Sequence, residues 1–501
     1  MRMATGCGAG REPGNLRYGC LTAGDRDRWE DGRVTSILWY RRDLRVHDLP
    51  ALAAAAEQGS VLPVFVLDDR LLGGRRASAN RTWFMLESLR ALDESLRERG
   101  TRLHIRRGRP EQVIPELALA CGADAVYVSR DYAPFGRRRD ERTGRALNAV
   151  GVELIEMAGA LAQEPEEILT GKGAPFSVFG PFRRKWESLP RRTVLPAPGR
   201  TVWVEGIEPG ELPPAGHAPA AIIEPGEAAA RARLDRWVKG GLAAYPERRD
   251  FPASDGTSRL SQDLRWGLLS PVEVLERCAV EGAAGGKFAS EVAWREFNHH
   301  LLWHHPRVLD EPFQRQFAGV RWRDDVDALA AWKAGMTGFP LVDAGMRELR
   351  ATGYMHSRAR MVCASFLAKQ LLIDWRLGEA HFMEHLVDGD VANNNGGWQW
   401  SAGTGADAQP YFRVFNPALQ AAKFDPDGEY VRRWVPELGR VPGRYLREPH
   451  TMPPEAQRQA GCVIGRDYPA PIVDHRLARE RAIAAFAAAR RGELPDAVDD
   501  Q

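Results

Sequence analysis

Thirteen residues, DGDVANNNGGWQW at 388–400, bring together two carboxylates, three adjacent asparagines, a glycine pair and two tryptophans. A core would accept the aromatics but not five polar side chains, since each one buried without a partner costs about 1–3 kcal/mol. Amides and carboxylates beside indole rings suit a planar, polar ligand, held by its edge and by its face. A second stretch, EVAWREFNHHLLWHHP at 291–306, sets Glu291, Trp294, Arg295 and Asn298 at i, i+3, i+4 and i+7, one helix face that is charged, aromatic and amide-bearing where a core face would be apolar. Glu291 and Arg295 are equally compatible with a surface i,i+4 pair worth a few tenths of a kcal/mol. The neighbouring histidines lack a carboxylate or thiol to complete a metal set, so no metal site is expected. A third stretch, GTSRLS at 256–261, offers hydroxyls and backbone N–H groups either as a plain helix cap or as a clamp for a phosphate.

These groups need elements to hold them. At 501 residues the length favours about two to four domains. From Val34, five short β-branched runs (VTSILWYR, VLPVFVLDD, TRLHIRRG, ADAVYVSRD, VELIEM) alternate with helical stretches such as LPALAAAAEQG, which predicts a doubly wound α/β domain over 34–160 with a parallel sheet. The first strand is followed by RRDLRVHD and not by G-x-G-x-x-G, which argues against an ordinary dinucleotide domain. Residues 161–235, rich in Pro and Gly, read as a connection laid over a surface. From 236 to 488 the apolar positions recur at helical spacing, predicting an all-α domain that carries the three stretches above. Residues 1–33 read as a disordered extension or a mis-set start, and 489–501 as a tail.

Net charge is +2, from 69 basic and 67 acidic residues, so an anionic partner must be met by a local patch. No apolar run reaches the roughly 18–20 residues of a membrane span. Six cysteines without a C-x-x-C pair argue against a disulfide framework and a zinc site, and point to a reducing cytoplasm.

RRDLRVHDLPAL, RDFPASDGTSRLS, WREF, TGFPLVDAGMRELRATGYMHSRARM, LLIDWRLGE, DGDVANNNGGWQWSAGTGADAQPYFRVFNP and RDYPAPIVDH, in this order over about 34–488, resemble the DNA photolyase and cryptochrome family, and within it the bacterial class I enzymes that act on cyclobutane pyrimidine dimers. The resemblance implies FAD in the helical domain. Thr257, Ser258, Arg259, Leu260 and Ser261, with Tyr245, would hold its pyrophosphate. Arg360 and Asp388 would form an ion pair over the flavin ring, with Gly389 and Asp390 beside it and Asn394 facing N5. A neutral amide there adds no like charge to an anionic reduced flavin, which a carboxylate would.

Trp294 and Trp400 would wall the dimer, Glu291 would hydrogen-bond it and steady its radical anion, and Met361 would line the same cavity. Arg295, Asn298, Ser357, Arg358, Arg413 and Gln420 would lie on the DNA-facing rim. Trp398, Trp375 and Trp322 would relay electrons inward to oxidised flavin, with Trp322 outermost. The implied activity is light-driven repair of UV-damaged DNA, independent of base sequence, by a monomer: excited FADH⁻ lends an electron that splits the cyclobutane.

An antenna pigment, 8-hydroxy-5-deazaflavin or methenyltetrahydrofolate, would occupy the α/β domain, and VSRDYAPFGRRRDE looks closer to the deazaflavin type. Two departures stand out: GYMHSR places Tyr354 and Ser357 where relatives often carry Trp and Asn, and Arg360 stands where a (6-4) enzyme would place a second histidine after His356. The rival readings are a cryptochrome-type photoreceptor, disfavoured by Asn394, by Glu291 with Trp294 and by the absence of a long polar C-terminal stretch, and a flavin oxidoreductase that works in the dark.

Overall fold

In a computed structural model the chain is described over residues 34–74 and 76–492; the expected extension at 1–33 and most of the expected tail lie outside these residues. Residues 489–491 are not tail: they complete the helix His475–Arg491.

All five expected strands form: β1 (Val34–Tyr40), β2 (Gly59–Leu67), β3 (His104–Arg107), β4 (Ala125–Ser129) and β5 (Glu153–Met157). They make a parallel sheet in the order β3-β2-β1-β4-β5. Alternate residues of β1 serve different cores, Leu38 and Tyr40 on one face, Ile37 and Trp39 on the other, which is why the central strands read as unbroken apolar runs. Helices α1 (Pro50–Gln58), α2 (Ala79–Arg97), α3 (Pro110–Cys121) and α4 (Pro134–Asn148) complete the layers. The strand order reverses between β1 and β4, the place where ligands or partners meet such sheets. The loop after β1, RRDLRVHD, leaves the sheet there and turns towards the helical domain: Leu44 N–H bonds Trp266 O at 3.1 Å.

The connection over 161–235 has more structure than its composition suggests. It contains α5 (Phe179–Ser188), the two-residue strand β6 (Val202–Trp203) beside β2, and α6 (Glu227–Arg236). The boundary expected at 235/236 cuts a continuous helical run, because α6 passes directly into a wider turn at Trp237–Gly241. Segment 161–188 is pinned to the helical domain by the buried carboxylate of Glu296, which accepts from Trp186 Nε1 at 2.6 Å and from Gln163 N at 3.2 Å.

Beyond it come α7 (Ser261–Trp266), α8 (Gly282–His304), α9 (Pro340–Thr352), α10 (Ser357–Ser365), α11 (Trp375–His385), α12 (Val391–Ala402) and α13 (His475–Arg491), among further short helices and turns. The helical run from Ser357 continues through a wider turn to Gln370 and breaks at 371–374. Leu372 adopts φ 52, and Asp374 caps α11 by accepting from Arg376 N at 3.0 Å. That break makes Trp375 the first residue of a new helix.

Candidate flavin and lesion site

The polar stretch 388–400 is a capped helix start. Asp390 is the N-cap of α12, and its Oδ1 accepts from Asn393 N at 3.0 Å and Asn393 Nδ2 at 2.9 Å. Helical spacing then sends Asn394, Trp398 and Ser401 to one cavity, while Asn395 and Gln399 turn to the backbone O of Val308, at 3.0 and 2.8 Å. Two glycines allow the close packing. A Cβ on Gly396 would sit 2.2 Å from Asn298 Oδ1 on α8, and one on Gly378 of α11 would sit 2.1 Å from the Trp398 ring.

Between α8, α10 and α12 lie two cavities, of 430 and 370 Å³, that share one wall made of Glu291, Trp294, Asn298, Ser357, Met361 and Gly397. The larger is lined by Ser258, Leu260, Ser261, Arg360, Asp388, Gly389, Asp390 and Asn394, so most of the cofactor residues expected from the sequence converge there. Tyr245, Thr257 and Arg259 do not line it. Tyr245 is buried against Trp237 and Phe288, with centroids at 5.5 and 5.4 Å. Arg259, at φ 55, lays its guanidinium 3.8 Å over the Tyr354 ring.

The electrostatics of this cavity follow from crowding charge away from water. Arg360 Nη2 bonds Asp388 Oδ2 at 2.8 Å. Burial opposes the Arg360 charge, but Asp388 outweighs it and raises the pKa of the guanidinium. Asp390 pairs with Arg42, from the loop after β1, and lies 3.4 Å from His299 Nε2. Burial works against its charge too, yet the guanidiniums of Arg42, Arg265 and Arg295 together hold it well below the usual carboxylate range. Burial drives His299 down to about 3, so it stands neutral.

A flavin-sized polar ligand passes a test set by the structure itself. Asp388 Oδ1, Arg265 Nη1, Arg295 Nη1 and Trp398 Nε1 all belong to residues of this cavity, are buried and have no hydrogen-bond partner. Four such orphans at about 1–3 kcal/mol each would be a poor way to build an empty void. Donors and acceptors are mixed as the edge of an isoalloxazine requires.

The second cavity is bounded by Trp294, Trp400 and Met361, together with Arg249, Asp250 and Arg358. The Glu291 carboxylate is in an ion pair with Arg249, and Arg358 Nη2 bonds Asp250 Oδ1 at 2.6 Å while its guanidinium lies 4.1 Å over Phe424. Asn298 Nδ2 bonds Asn393 Oδ1 at 3.1 Å, tying α8 to α12 at the shared wall.

Residues 288–488 match the family described as the FAD binding domain of DNA photolyase, and residues 36–199 match the one described as DNA photolyase. A curated relative from Agrobacterium fabrum, named deoxyribodipyrimidine photo-lyase, is 42% identical over 476 residues, 91% of this chain and 98% of its own. The chain belongs to the DNA photolyase family. A bacterial class III photolyase structure from Agrobacterium tumefaciens superposes with a TM-score of 0.87 at 40% identity, covering 92% of this chain and 98% of that one. A Synechocystis cryptochrome structure gives 0.84 at 30% identity, over 90% and 99%. The larger cavity thus lies in the FAD-binding domain of a photolyase-family protein.

Placed against that family's residues, the rim needs one correction. Arg295 does not face DNA: it is buried, its Nη2 donates to Ala160 O at 3.1 Å and Leu264 O at 3.4 Å, and it lines the flavin cavity. One residue after Trp294 on a helix is about 100° round, enough to point inward. Arg413 and Gln420 line neither cavity; Arg413 is exposed and bonds Gln409 Oε1 at 3.1 Å.

The tryptophans are graded outward. Trp398 and Trp375 are buried and Trp322 is half-buried, its ring edge-on to Phe486 at 5.9 Å. The ring neighbours of Trp398 are Phe382 at 4.9 Å and Trp332 at 5.9 Å.

Sequence reasoning missed Arg42, Arg265 and His299 beside Asp390, and Arg249 with Asp250 beside the lesion cavity. The charge of RRDLRVHD at the end of β1 was the available signal for Arg42. RD immediately before FPASDGTSRLS was the signal for the other pair.

Proposed function

We propose that this protein repairs cyclobutane pyrimidine dimers in DNA under blue light. What carries the reading is the shared wall: a polar cavity with unsatisfied donors and acceptors, back to back with an aromatic one edged by guanidiniums, and Glu291, Asn298 and Met361 between them. FAD held in the polar cavity among Arg360, Asp388, Asp390 and Asn394 would supply, when reduced and excited by light, the electron that opens the cyclobutane ring, with no net redox change.

The chain's own part is binding and orientation. Photolyases take their target out of the base stack, at a cost of a few kcal/mol that a damaged pair lowers. Trp294 and Trp400 offer π-faces in return, each worth about 1–3 kcal/mol per stacked base. Glu291, released from Arg249 and carrying a proton taken from solvent, donates a hydrogen bond to the dimer and so steadies negative charge on it; Arg249 is then free for a backbone phosphate, and Arg358 reaches one by leaving Asp250. Such contacts position the duplex without reading its sequence, so binding is lesion-specific and salt-sensitive. Asn394 presents an uncharged amide to the flavin; its Nδ2 is held by Glu379 O at 3.0 Å. Trp398, Trp375 and Trp322 serve the reduction of oxidised cofactor.

The family reading is of a monomer, and the described cysteines, 121, 278, 363 and 462, are free, which suits the cytoplasm. The family reading includes an antenna pigment.

The test is to incubate photoreduced holoprotein with dimer-containing DNA under blue light and in darkness, then count the dimers left. A light-dependent fall is expected. Equal counts reject repair and leave the photoreceptor reading.

A further inference from the structure

Trp294 borders both cavities, yet only part of its ring does so. Phe179, the first residue of α5, stacks on it with centroids 3.7 Å apart and planes 11° from parallel. Phe179 itself lines neither cavity, so it covers the side of the indole turned away from them. The pair is locked from behind: Phe297, one turn along α8, meets both rings edge-on, at 5.8 Å from Phe179 and 5.7 Å from Trp294. The backbone N–H of Phe179 donates to Asp407 Oδ2 at 3.1 Å. Asp407 follows Gly405 and Ala406, which line the lesion cavity, in the loop after the helix that carries Trp400. One residue of the connection therefore touches the support of both aromatic walls.

We propose that Phe179 is a positioning residue for lesion recognition: it fixes the plane of Trp294 and the spacing between Trp294 and Trp400, so that the indole is already oriented when the dimer enters. This role rests on the repair reading above. An indole free to turn about its two side-chain bonds would lose entropy on stacking, and a pre-stacked one does not. An aromatic pair of this geometry is worth a factor of roughly 2–13 in an equilibrium constant.

The experiment compares dark binding of a dimer-containing duplex and the same duplex undamaged by the FAD-loaded wild type and by Phe179→Leu, Phe179→Tyr and Asp407→Ala, with FAD content and thermal melting recorded for each. Leucine keeps apolar bulk but cannot stack. We expect Phe179→Leu to reduce the damaged-to-undamaged affinity ratio by about 3- to 10-fold, Phe179→Tyr to restore it, and Asp407→Ala to reduce it in the same direction by a smaller factor. A leucine variant with the wild-type ratio overturns the proposal, as does a loss shared equally by both duplexes. Should the leucine variant fail to fold, an unchanged ratio in Asp407→Ala overturns it. A wild type with no preference for damage refutes the repair reading itself, a result separable from failure of this brace alone.

Discussion

Replacing Asp390 by Asn isolates what one buried charge does at the meeting point of the two domains. Asparagine is as good an N-cap as aspartate, and it keeps an oxygen for Asn393 N, so the start of α12 survives the change. What goes is the negative charge that Arg42, Arg265 and Arg295 face. Removing one partner of a buried pair costs about 3–5 kcal/mol, because the other charge stays buried without compensation. Arg42 retains 25% side-chain exposure and can recover some hydration, which discounts its share. Arg295 is less exposed, at 13%, and burial already lowers the pKa of both Arg265 and Arg295, so they recover less. His299, held near 3, is neutral with or without the aspartate and contributes no compensating change. The expected loss is about 3 kcal/mol.

Urea unfolding of flavin-free protein at pH 7, with tryptophan emission as the probe, reads this loss as a shift in midpoint. Because the folded-state pKa of Asp390 is depressed, its contribution is complete above the unfolded value of about 3.9 and is lost as pH falls through the folded pKa. The difference between variant and wild type is therefore flat from pH 5 to 8 and shrinks only below about 4. Asp69→Asn breaks the exposed pair with Arg107 and serves as the control, with no measurable loss expected. A loss below about 1 kcal/mol for Asp390→Asn would refute the reasoning that an uncompensated cationic cluster is left behind.

Other consequences are equally direct. Burial pushes Glu379 up to about 7, so its carboxyl favours the fold below its unfolded pKa near 4.5 and costs stability as pH rises through 7; Glu379→Gln is expected to gain up to about 3 kcal/mol at pH 8 and nothing at pH 4.5, as pH-dependent denaturation checks. Gly396→Ala must displace Asn298 and is expected to lose about 1–3 kcal/mol in thermal melting, whereas Gly397→Ala, whose Cβ meets nothing within 4 Å, should gain rather than lose stability. Trp398→Phe is expected to abolish photoreduction of oxidised holoprotein, followed by its absorbance under blue light with an external reductant, while chemically reduced Trp398→Phe still repairs; photoreduction at the wild-type rate would remove Trp398 from the relay.

The sheet was legible because central parallel strands bury both faces and leave continuous apolar runs. The helices of the second domain were legible because amphipathic period survives in sequence. The capped start of α12 was legible in kind, since amides and carboxylates in a row have few uses in a core. What could not be read was geometry that depends on a distant residue. Asp390 shows one carboxyl in the sequence, but its charge state is set by Arg42, 348 positions away, and by Arg265, 125 away by subtraction of the residue numbers.

Arg295 was misplaced for a related reason. A helix face drawn from i, i+3, i+4 and i+7 spans about 100° of arc, wide enough to straddle two cavities, and the position of Ala160 and Leu264 decides which one the Arg295 side chain enters. The Pro- and Gly-rich connection misled in the opposite direction. Its composition marks exposed backbone, yet three of its aromatic residues, Phe179, Phe182 and Trp186 at i, i+3 and i+7, form a regular helix face. Such a face must be buried, and here it is buried against α8, Phe179 on Trp294, Phe182 on Phe297 and Trp186 at Glu296, which makes the connection part of the lesion pocket's framework and subjects it to the same packing constraints as the helices it joins.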